Sequence, residues 1–319
     1  MRFPLSDWID GHVDCRYNLG SSGMQGTVRP PAPSKVQLRS ATEAELRAQL
    51  GTLLGVDPSR VFLTHGATEA NSWAVFYLRR AVRGRIARCR VEFPEYPPLF
   101  DLAREAGFLI SSRAGPSELA IVSQPRNPVG DLWSAPRLTD WAQDARAVVV
   151  DETFREFTTA PSVQRLGLPG LWTTGSFTKA YGGDDLRVGF VVPPEKETAR
   201  FARFHGLVAD EMPRYSVAGA LAVLSRRDRI LKEVRSLVGR NHSLWRRANP
   251  GGVPLAAPVT FDDPVPTGGD RFARRCLRAS ILVCPGSLFG RPSGVRVGLT
   301  RRSFPRDLAQ YLRVRAAER

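Results

Sequence analysis

Ser176-Phe177-Thr178-Lys179, followed eight residues past the lysine by Arg187 in Leu186-Arg187-Val188-Gly189-Phe190, is the stretch on which the reading of this chain turns. A lysine amine condenses with an aldehyde. A hydroxyl and a guanidinium together hold a phosphate. Spacing alone is weak, since S-x-x-K recurs by chance and most lysines are solvated surface groups. Composition makes this lysine unusual: the basic side chains are overwhelmingly arginine, and the lysines are Lys35, Lys179, Lys196 and Lys232. Lys196 stands in the charged run Pro-Pro-Glu-Lys-Glu and Lys232 among Arg and Glu, whereas Lys179 lies between an apolar-aromatic stretch and a glycine-rich turn. Pyridoxal 5′-phosphate (PLP), an aldehyde that carries a phosphate, fits both halves of the stretch.

Upstream, the pattern alternates. Val61-Phe62-Leu63-Thr64, residues 86–93, 108–112, 119–123 and Ala147-Val148-Val149-Val150 read as strands, and 188–192 closes the series. Helices are expected over 41–55, 73–82, 99–106 and 135–144. Strands alternating with helices from 60 to 192 specify a mainly parallel, doubly wound sheet. His65-Gly66-Ala67-Thr68-Glu69 joins a strand to a helix N-terminus, where unpaired amides favour an anion, although an ordinary turn capped by Thr68 accounts for it equally well. Asp151-Glu152 ends the most apolar strand, which is where open α/β sheets place their sites; a helix cap is the plain alternative. Asn127-Pro128 with Gly130 is a turn whose first side chain projects from a strand end.

Residues 1–35 read as an irregular arm. It holds a short helix capped by Ser6 or Asp7, the glycine-serine loop Asn18 to Gly26, and an extended proline-rich stretch from Thr27 to Pro33. The amides of the loop, Gly23 among them, are candidates to meet an anion. From Pro194 long helices follow at 194–208, 213–225 and 227–247, the last able to bridge two domains. A small α+β unit ends the chain, with strands near 259–261, 281–283 and 295–299 and helices over 270–279 and 305–317. The expected division is an arm over 1–35 packing on the small domain and active site, a large domain over 36–225, and a small domain over 226–319.

The 319 residues are enough for a large core, and the composition is that of a soluble globular protein. No apolar run approaches a membrane span and the start has no signal-peptide pattern, so a cytoplasmic location is expected. Four scattered cysteines form no C-x-x-C pair, which argues against zinc or a disulfide framework. The net charge of +15 attracts anions. It is spread along the chain without a recognition motif, so only weak, salt-dependent, nonspecific nucleic-acid binding is expected.

In order, Gly66-Ala67-Thr68-Glu69-Ala70, Pro94-x-Tyr96-Pro97, Asn127-Pro128-x-Gly130, Asp151-Glu152, Ser176-x-x-Lys179 with Arg187, Pro285-Gly286-x-x-Phe289-Gly290 and Arg296 resemble the PLP-dependent aminotransferases of class I/II, fold type I. The resemblance spans roughly residues 40–300. It implies a large domain with a mainly parallel seven-stranded sheet, a small α+β domain and a homodimer. It assigns Lys179 to the Schiff base with PLP and to proton transfer, and Asp151 to the pyridine nitrogen. Asn127 falls at the ring hydroxyl and Tyr96 on the ring face. Gly66, Ala67, Thr68, Ser176 and Arg187 form the phosphate cup. Arg296, with Asn127 and Gly23 nearby, takes the substrate carboxylate.

Two departures stand out. Phe154 replaces a tyrosine that usually touches the ring hydroxyl, so one hydrogen bond to that oxygen is expected to be missing. The tyrosine that usually reaches the partner subunit's phosphate has no counterpart before Glu45-Leu46-Arg47. The arm, Asp7-Trp8 and then Asn18 to Gln25, resembles capreomycidine-synthase-like enzymes, fold type I relatives that eliminate a β-substituent and close a ring. Two outcomes are therefore expected of one site acting on an amino acid: amino transfer to a 2-oxo acid first, and elimination, replacement or cyclisation on a β-hydroxylated amino acid as the alternative.

Overall fold

The computed structural model describes residues 3–82, 86–250, 256–263 and 268–317. The sequence Asn249-Pro250-Gly251-Gly252 after the helix expected over 227–247 lies partly outside them. The arm opens with α1 (Pro4–Asp10) and β1 (Tyr17–Asn18). Neither Ser6 nor Asp7 caps α1. The cap position is Phe3, without a side-chain bond, and Pro4 starts the helix, its fixed φ suiting a first turn. Thr27 and Val28 are not extended; both amides turn back to the Met24 carbonyl. The helix expected over 41–55 is preceded by a separate one: α2 (Lys35–Ser40), closed by a Ser34–Gln37 capping box, and α3 (Glu43–Leu54), capped by Thr42.

The central sheet has seven strands: β2 (Phe62–Thr64), β3 (Ala87–Val91), β4 (Phe108–Ser111), β5 (Leu119–Ser123), β6 (Val148–Asp151), β7 (Leu171–Ser176) and β8 (Gly189–Val192), in the order β2-β8-β7-β6-β5-β3-β4. Pairing is parallel from β4 through β7, and β8 runs antiparallel to both of its neighbours. That single reversal matters. Chain leaving the carboxyl end of β7 re-enters the sheet at the same end, so the connection bearing Lys179 and Arg187 stays at the edge where β2, β5 and β6 also finish. β5 and β6 are buried along their whole length, as expected of strands covered on both faces.

Helices α4 (Ala67–Arg80), α5 (Pro97–Glu105), α6 (Ala135–Ala142) and α7 (Thr198–Val208) join the strands or follow them. α4 begins at Ala67, before the expected Trp73, because the small residues after Gly66 already belong to its first turn. α8 (Arg214–Leu224) is nearly all apolar and packs inside, and α9 (Arg227–Ala248) follows. α9 buries Val234, Leu237 and Val238 with the core around α3 and β8, and Trp245 with the C-terminal core, so it bridges the two as expected.

At the C-terminal end lie β9 (Val259–Asp262), α10 (Gly269–Arg278), β10 (Ile281–Leu282), β11 (Cys284–Pro285), β12 (Val295–Gly298) and α11 (Phe304–Ala316), of which α10, β10, β12 and α11 supply the second core. β11-β12-β9 is an antiparallel sheet, and β10 pairs in parallel with β1 of the arm. That pairing was invisible in the sequence because two-residue strands carry no periodicity.

Gly189 sits opposite Ser176 on β7 and Thr64 on β2. A Cβ there would stand 2.5 Å from the Gly66 carbonyl carbon. Gly66 itself has φ +97°, in the region that favours glycine. Gly189→Ala should therefore lower stability by about 1–3 kcal/mol, the range for overpacking, and loosen the Gly66 turn. Urea unfolding checks this; an unchanged midpoint would exclude so close an approach.

Candidate active site

Asp151 ends β6 at the centre of the sheet's carboxyl edge and is 3 % exposed. Burial pushes its carboxyl above the ordinary range, opposed by hydrogen bonds from Thr153 and Asn71 and by the Lys179 charge. The Thr153 amide donates to Oδ1 at 2.8 Å and Asn71 Nδ2 to Oδ2 at 2.9 Å. Thr174 Oγ1 donates to Asn71 Oδ1 at 2.6 Å, which fixes the amide with its nitrogen toward the carboxylate. Each donor favours the ionised form. Glu152 points elsewhere, accepting from Ser162 Oγ at 2.7 Å and the Val163 amide at 2.8 Å. Of the acidic pair, Asp151 is the one that faces the cavity.

That cavity, of about 180 Å³, is lined by Asp151, Lys179, Tyr96, Asn127, Ser176, Arg187 and Arg296, and by Gly66, Ala67 and Thr68. Burial holds the Lys179 amine below its usual range; Asp184 and Asp151 pull it up, while Arg296 and Arg187 press it down. A larger share of neutral, nucleophilic amine follows. The turn that carries the lysine is braced by the arm, with the Met24 amide bonding the Lys179 carbonyl at 2.8 Å and Gln25 Nε2 the Thr178 carbonyl at 3.1 Å.

On one side of the cavity α4 begins at Gly66 without a side-chain cap, so its first amides are available to an anion. Thr68, Ser176 and Thr178 add hydroxyls there, the last two bonded to each other at 2.8 Å. Arg187 has a left-handed backbone (φ 48°), and its Nη2 bonds the His65 carbonyl at 3.1 Å, which aims it across the same turn. Three hydroxyls, a guanidinium and a bare helix N-terminus make a donor set for a phosphate.

On the other side stands Arg296, 1 % exposed on β12. It faces inward. Its Nη1 bonds Asn127 Oδ1 at 3.3 Å, its Nη2 the Gly20 carbonyl at 2.7 Å and Cys284 Sγ at 3.4 Å, and it stacks 5.0 Å over Phe289. Its Nε is buried without a partner, an unsatisfied donor of the kind a bound carboxylate would complete. Burial and the Asp151 charge push the Tyr96 phenol up to about 12, against Arg296.

Of the expected site residues, Gly23 is the one that does not line the cavity. Its place is taken by Ser22, while Gly23 is buried against the Gln25 side chain. Sequence reading passed over Asn71, Thr153, Ser123, Thr178 and Asp184, and over Leu5, Ser6 and Ile9 of α1, which wall the cavity from the arm. Asn71 had a usable signal, being an amide inside an otherwise apolar and small-residue helix face. The α1 residues had none, since their place depends on Trp8 Nε1 bonding the Val283 carbonyl at 2.8 Å, far along the chain.

The sequence pattern described as aminotransferase class I and II matches residues 109–302. Capreomycidine synthase of Streptomyces vinaceus is 25 % identical over 96 % of this chain and 92 % of its own length. Aspartate aminotransferase of Thermococcus kodakarensis is 28 % identical over 60 % of this chain, a match that spans 55 % of that protein. In fold, the crystal structure of a putative aminotransferase from Silicibacter pomeroyi superposes with a TM-score of 0.80 at 22 % identity, covering 100 % of this chain and 96 % of that one.

If the lowered basicity of Lys179 makes it the reactive amine, borohydride reduction of the protein incubated with PLP will place the pyridoxyl mass on the peptide holding Lys179. Peptides holding Lys35, Lys196 and Lys232 should stay unlabelled near neutral pH. Equal labelling of all four would show that burial does not single this amine out.

Proposed function

The chain belongs to the aminotransferase class I and II family, enzymes whose coenzyme is PLP, and from that premise we propose that it transfers the amino group of an amino acid to a 2-oxo acid, with Lys179 as the amine that holds the coenzyme and moves the proton. One observation carries this reading. A single cavity receives Lys179 from the β7–β8 connection, Asp151 from the end of β6 and Arg296 from the C-terminal sheet.

The residues present fit PLP, given the anion cradle at the start of α4, the acceptor-only Asp151 and the unsatisfied Arg296 Nε. When bound, PLP supplies an aldehyde for the amines and a ring that takes up the electron pair left on the substrate's α-carbon. Arg296 binds and orients the substrate carboxylate, which brings the α-hydrogen to a defined side. The Lys179 amine, its basicity lowered by burial, would take the α-proton and return it at the acceptor carbon. Asp151, which accepts from Asn71 and Thr153, would hold the ring nitrogen and favour its protonated form. Asn127, whose Oδ1 is engaged by Arg296, would have its Nδ2 left for the ring oxygen. Phe154 lines the cavity and offers that oxygen no hydrogen bond.

A second reading, elimination or cyclisation on a β-hydroxylated amino acid, has its own support. The arm contributes Leu5, Ser6, Ile9 and Ser22 to the cavity, and the alignment with capreomycidine synthase covers 96 % of this chain. The same deprotonated α-carbon leads to either outcome.

The assignment extends to organisation. We propose an arm over 1–35, a coenzyme-binding domain over 36–225 and a small domain over 226–319, assembled as a homodimer. Val36, Leu207 and Tyr215 are exposed apolar side chains on α2, α7 and α8 that a second copy would cover. Among the described residues no helix is long and apolar enough to cross a membrane. A cytoplasmic setting is proposed, in keeping with cysteines that form no disulfide among the described residues.

Incubating the PLP-loaded enzyme with single amino acids should convert the coenzyme to pyridoxamine phosphate with at least one of them, releasing one equivalent of 2-oxo acid. Arg296→Ala should raise KM for that amino acid roughly 10- to 100-fold, the value of a charged hydrogen-bonding group. If no amino acid yields the pyridoxamine form while a β-hydroxylated one loses water by mass spectrometry, the second reading holds in place of the first.

A further inference from the structure

Glu95 precedes Tyr96 in the Pro94-Glu95-Tyr96-Pro97 turn and is 0 % exposed, yet it does not line the cavity. A carboxylate so far from water needs partners, and every hydrogen bond to this one comes from a donor. The Tyr96 amide reaches Oε1 at 2.6 Å, the Ser123 hydroxyl reaches Oε1 at 2.5 Å and the Ser123 amide reaches Oε2 at 3.0 Å. The Ser123 hydroxyl in turn accepts from the Asn127 amide at 2.9 Å. The main-chain amide of Glu95 donates to the Phe289 carbonyl at 3.1 Å, and Arg296 stacks on the Phe289 ring. One side chain thus ties the aromatic expected on the coenzyme ring to the residue expected at its hydroxyl, next to the strap that carries the carboxylate-binding arginine.

We propose that Glu95 is a positioning residue of this site, whose ionised carboxylate sets Tyr96 and Asn127 as one unit through Ser123. The inference rests on the coenzyme reading above. The anion accepts all three donors at once. A protonated carboxyl cannot, because its own hydrogen must displace one of them. The charged group facing Glu95 is Arg126, from the loop after β5, whose Nη2 also bonds the Glu92 and Pro94 carbonyls at 2.6 and 2.8 Å. α5 meets Glu95 through the Tyr96 amide, β5 through Ser123, and the C-terminal part through the Phe289 carbonyl.

Burial pushes the Glu95 carboxyl up to about 7, opposed by Arg126 and by the Ser123 and Tyr96 bonds. Two opposite pH trends follow. A carboxyl whose folded pKa is raised contributes stability that is fully present below its unfolded pKa and is lost as pH rises through about 7. Positioning of Tyr96 and Asn127 instead improves over the same rise, because the three-donor arrangement needs the anion. A group serving the fold alone would move stability and coenzyme affinity together.

The test is the PLP dissociation constant of the wild type and of Glu95→Gln at pH 5.5 and 8.5, with thermal unfolding of both at each pH. The Gln amide keeps the size but places N–H groups against donors. At pH 5.5 the two proteins should bind PLP alike. At pH 8.5 the variant should bind about tenfold more weakly, the loss of a charged hydrogen bond, without being the less stable of the two. Ser123→Ala, which keeps the carboxylate and cuts the link to Asn127, should weaken binding at pH 8.5 as well, and it decides the matter if Glu95→Gln does not fold. Equal affinities for wild type and both variants at pH 8.5 would overturn this inference while leaving the coenzyme reading intact. A wild type that takes up no PLP would overturn both.

Discussion

The constraint beneath this site is the cost of burying the Asp151 carboxyl at the cavity wall, which raises its pKa. An isolated buried carboxylate simply picks up a proton. Here the strand that buries Asp151 also ends at it. The next amide, at Thr153, bonds one oxygen, and an amide side chain from α4 bonds the other. That amide is oriented by Thr174, one strand over, at the β7 position paired with Asp151. Three neighbouring elements thus agree on one charge state. The lysine opposite supplies the remaining compensation, and its own basicity falls for the same reason that the acid's pKa rises.

The sheet's single antiparallel strand explains why those charges meet. With β8 reversed, the chain between Ser176 and Gly189 begins and ends at the carboxyl edge, so hydroxyl, amine and guanidinium face the cavity from one short connection. The other half of the site comes from the far end of the sequence. α9 spans both cores, and its start is pinned beside Asp151's own loop: Arg227 Nη2 bonds Glu156 Oε2 at 2.7 Å, and Arg235 Nε bonds the Glu156 carbonyl at 3.1 Å. A partly buried ion pair such as Arg227–Glu156 serves placement better than stability. The effect here is that the helix leading to the C-terminal sheet, and so to Arg296, is referenced to the loop that follows the carboxylate.

What could be read in advance follows from range. The strands, the helices between them and the lysine turn are local, and their patterns survive in the sequence. Gly66 and Asp151 could be placed because turn and strand-end chemistry act within a few residues. Features needing two distant segments could not be read. The β1–β10 pairing is one, and so are the wall formed by α1 and the Gln25 contact that draws Gly23 away from the cavity. Asn71 falls between these cases. An amide on a helix face that should be apolar signals a buried polar partner, but only the fold says that the partner is Asp151.

Phe154 draws these threads together. It is 4 % exposed, packs edge-on against Phe157 at 5.9 Å and lines the cavity, so it belongs to the core and the site at once. In the proposed site, a ring without a hydroxyl would leave Asn127 to serve the coenzyme's oxygen without help from this position. Asn127 is not independently placed, because its Oδ1 accepts from Arg296 and its main-chain N–H donates to the Ser123 hydroxyl, itself bonded to Glu95. Whatever moves Arg296 on binding a carboxylate must therefore be felt at the Asn127 side chain. Substrate recognition and the electronic setting of the ring are joined through one amide, whereas a second hydroxyl at position 154 would have allowed them to vary separately.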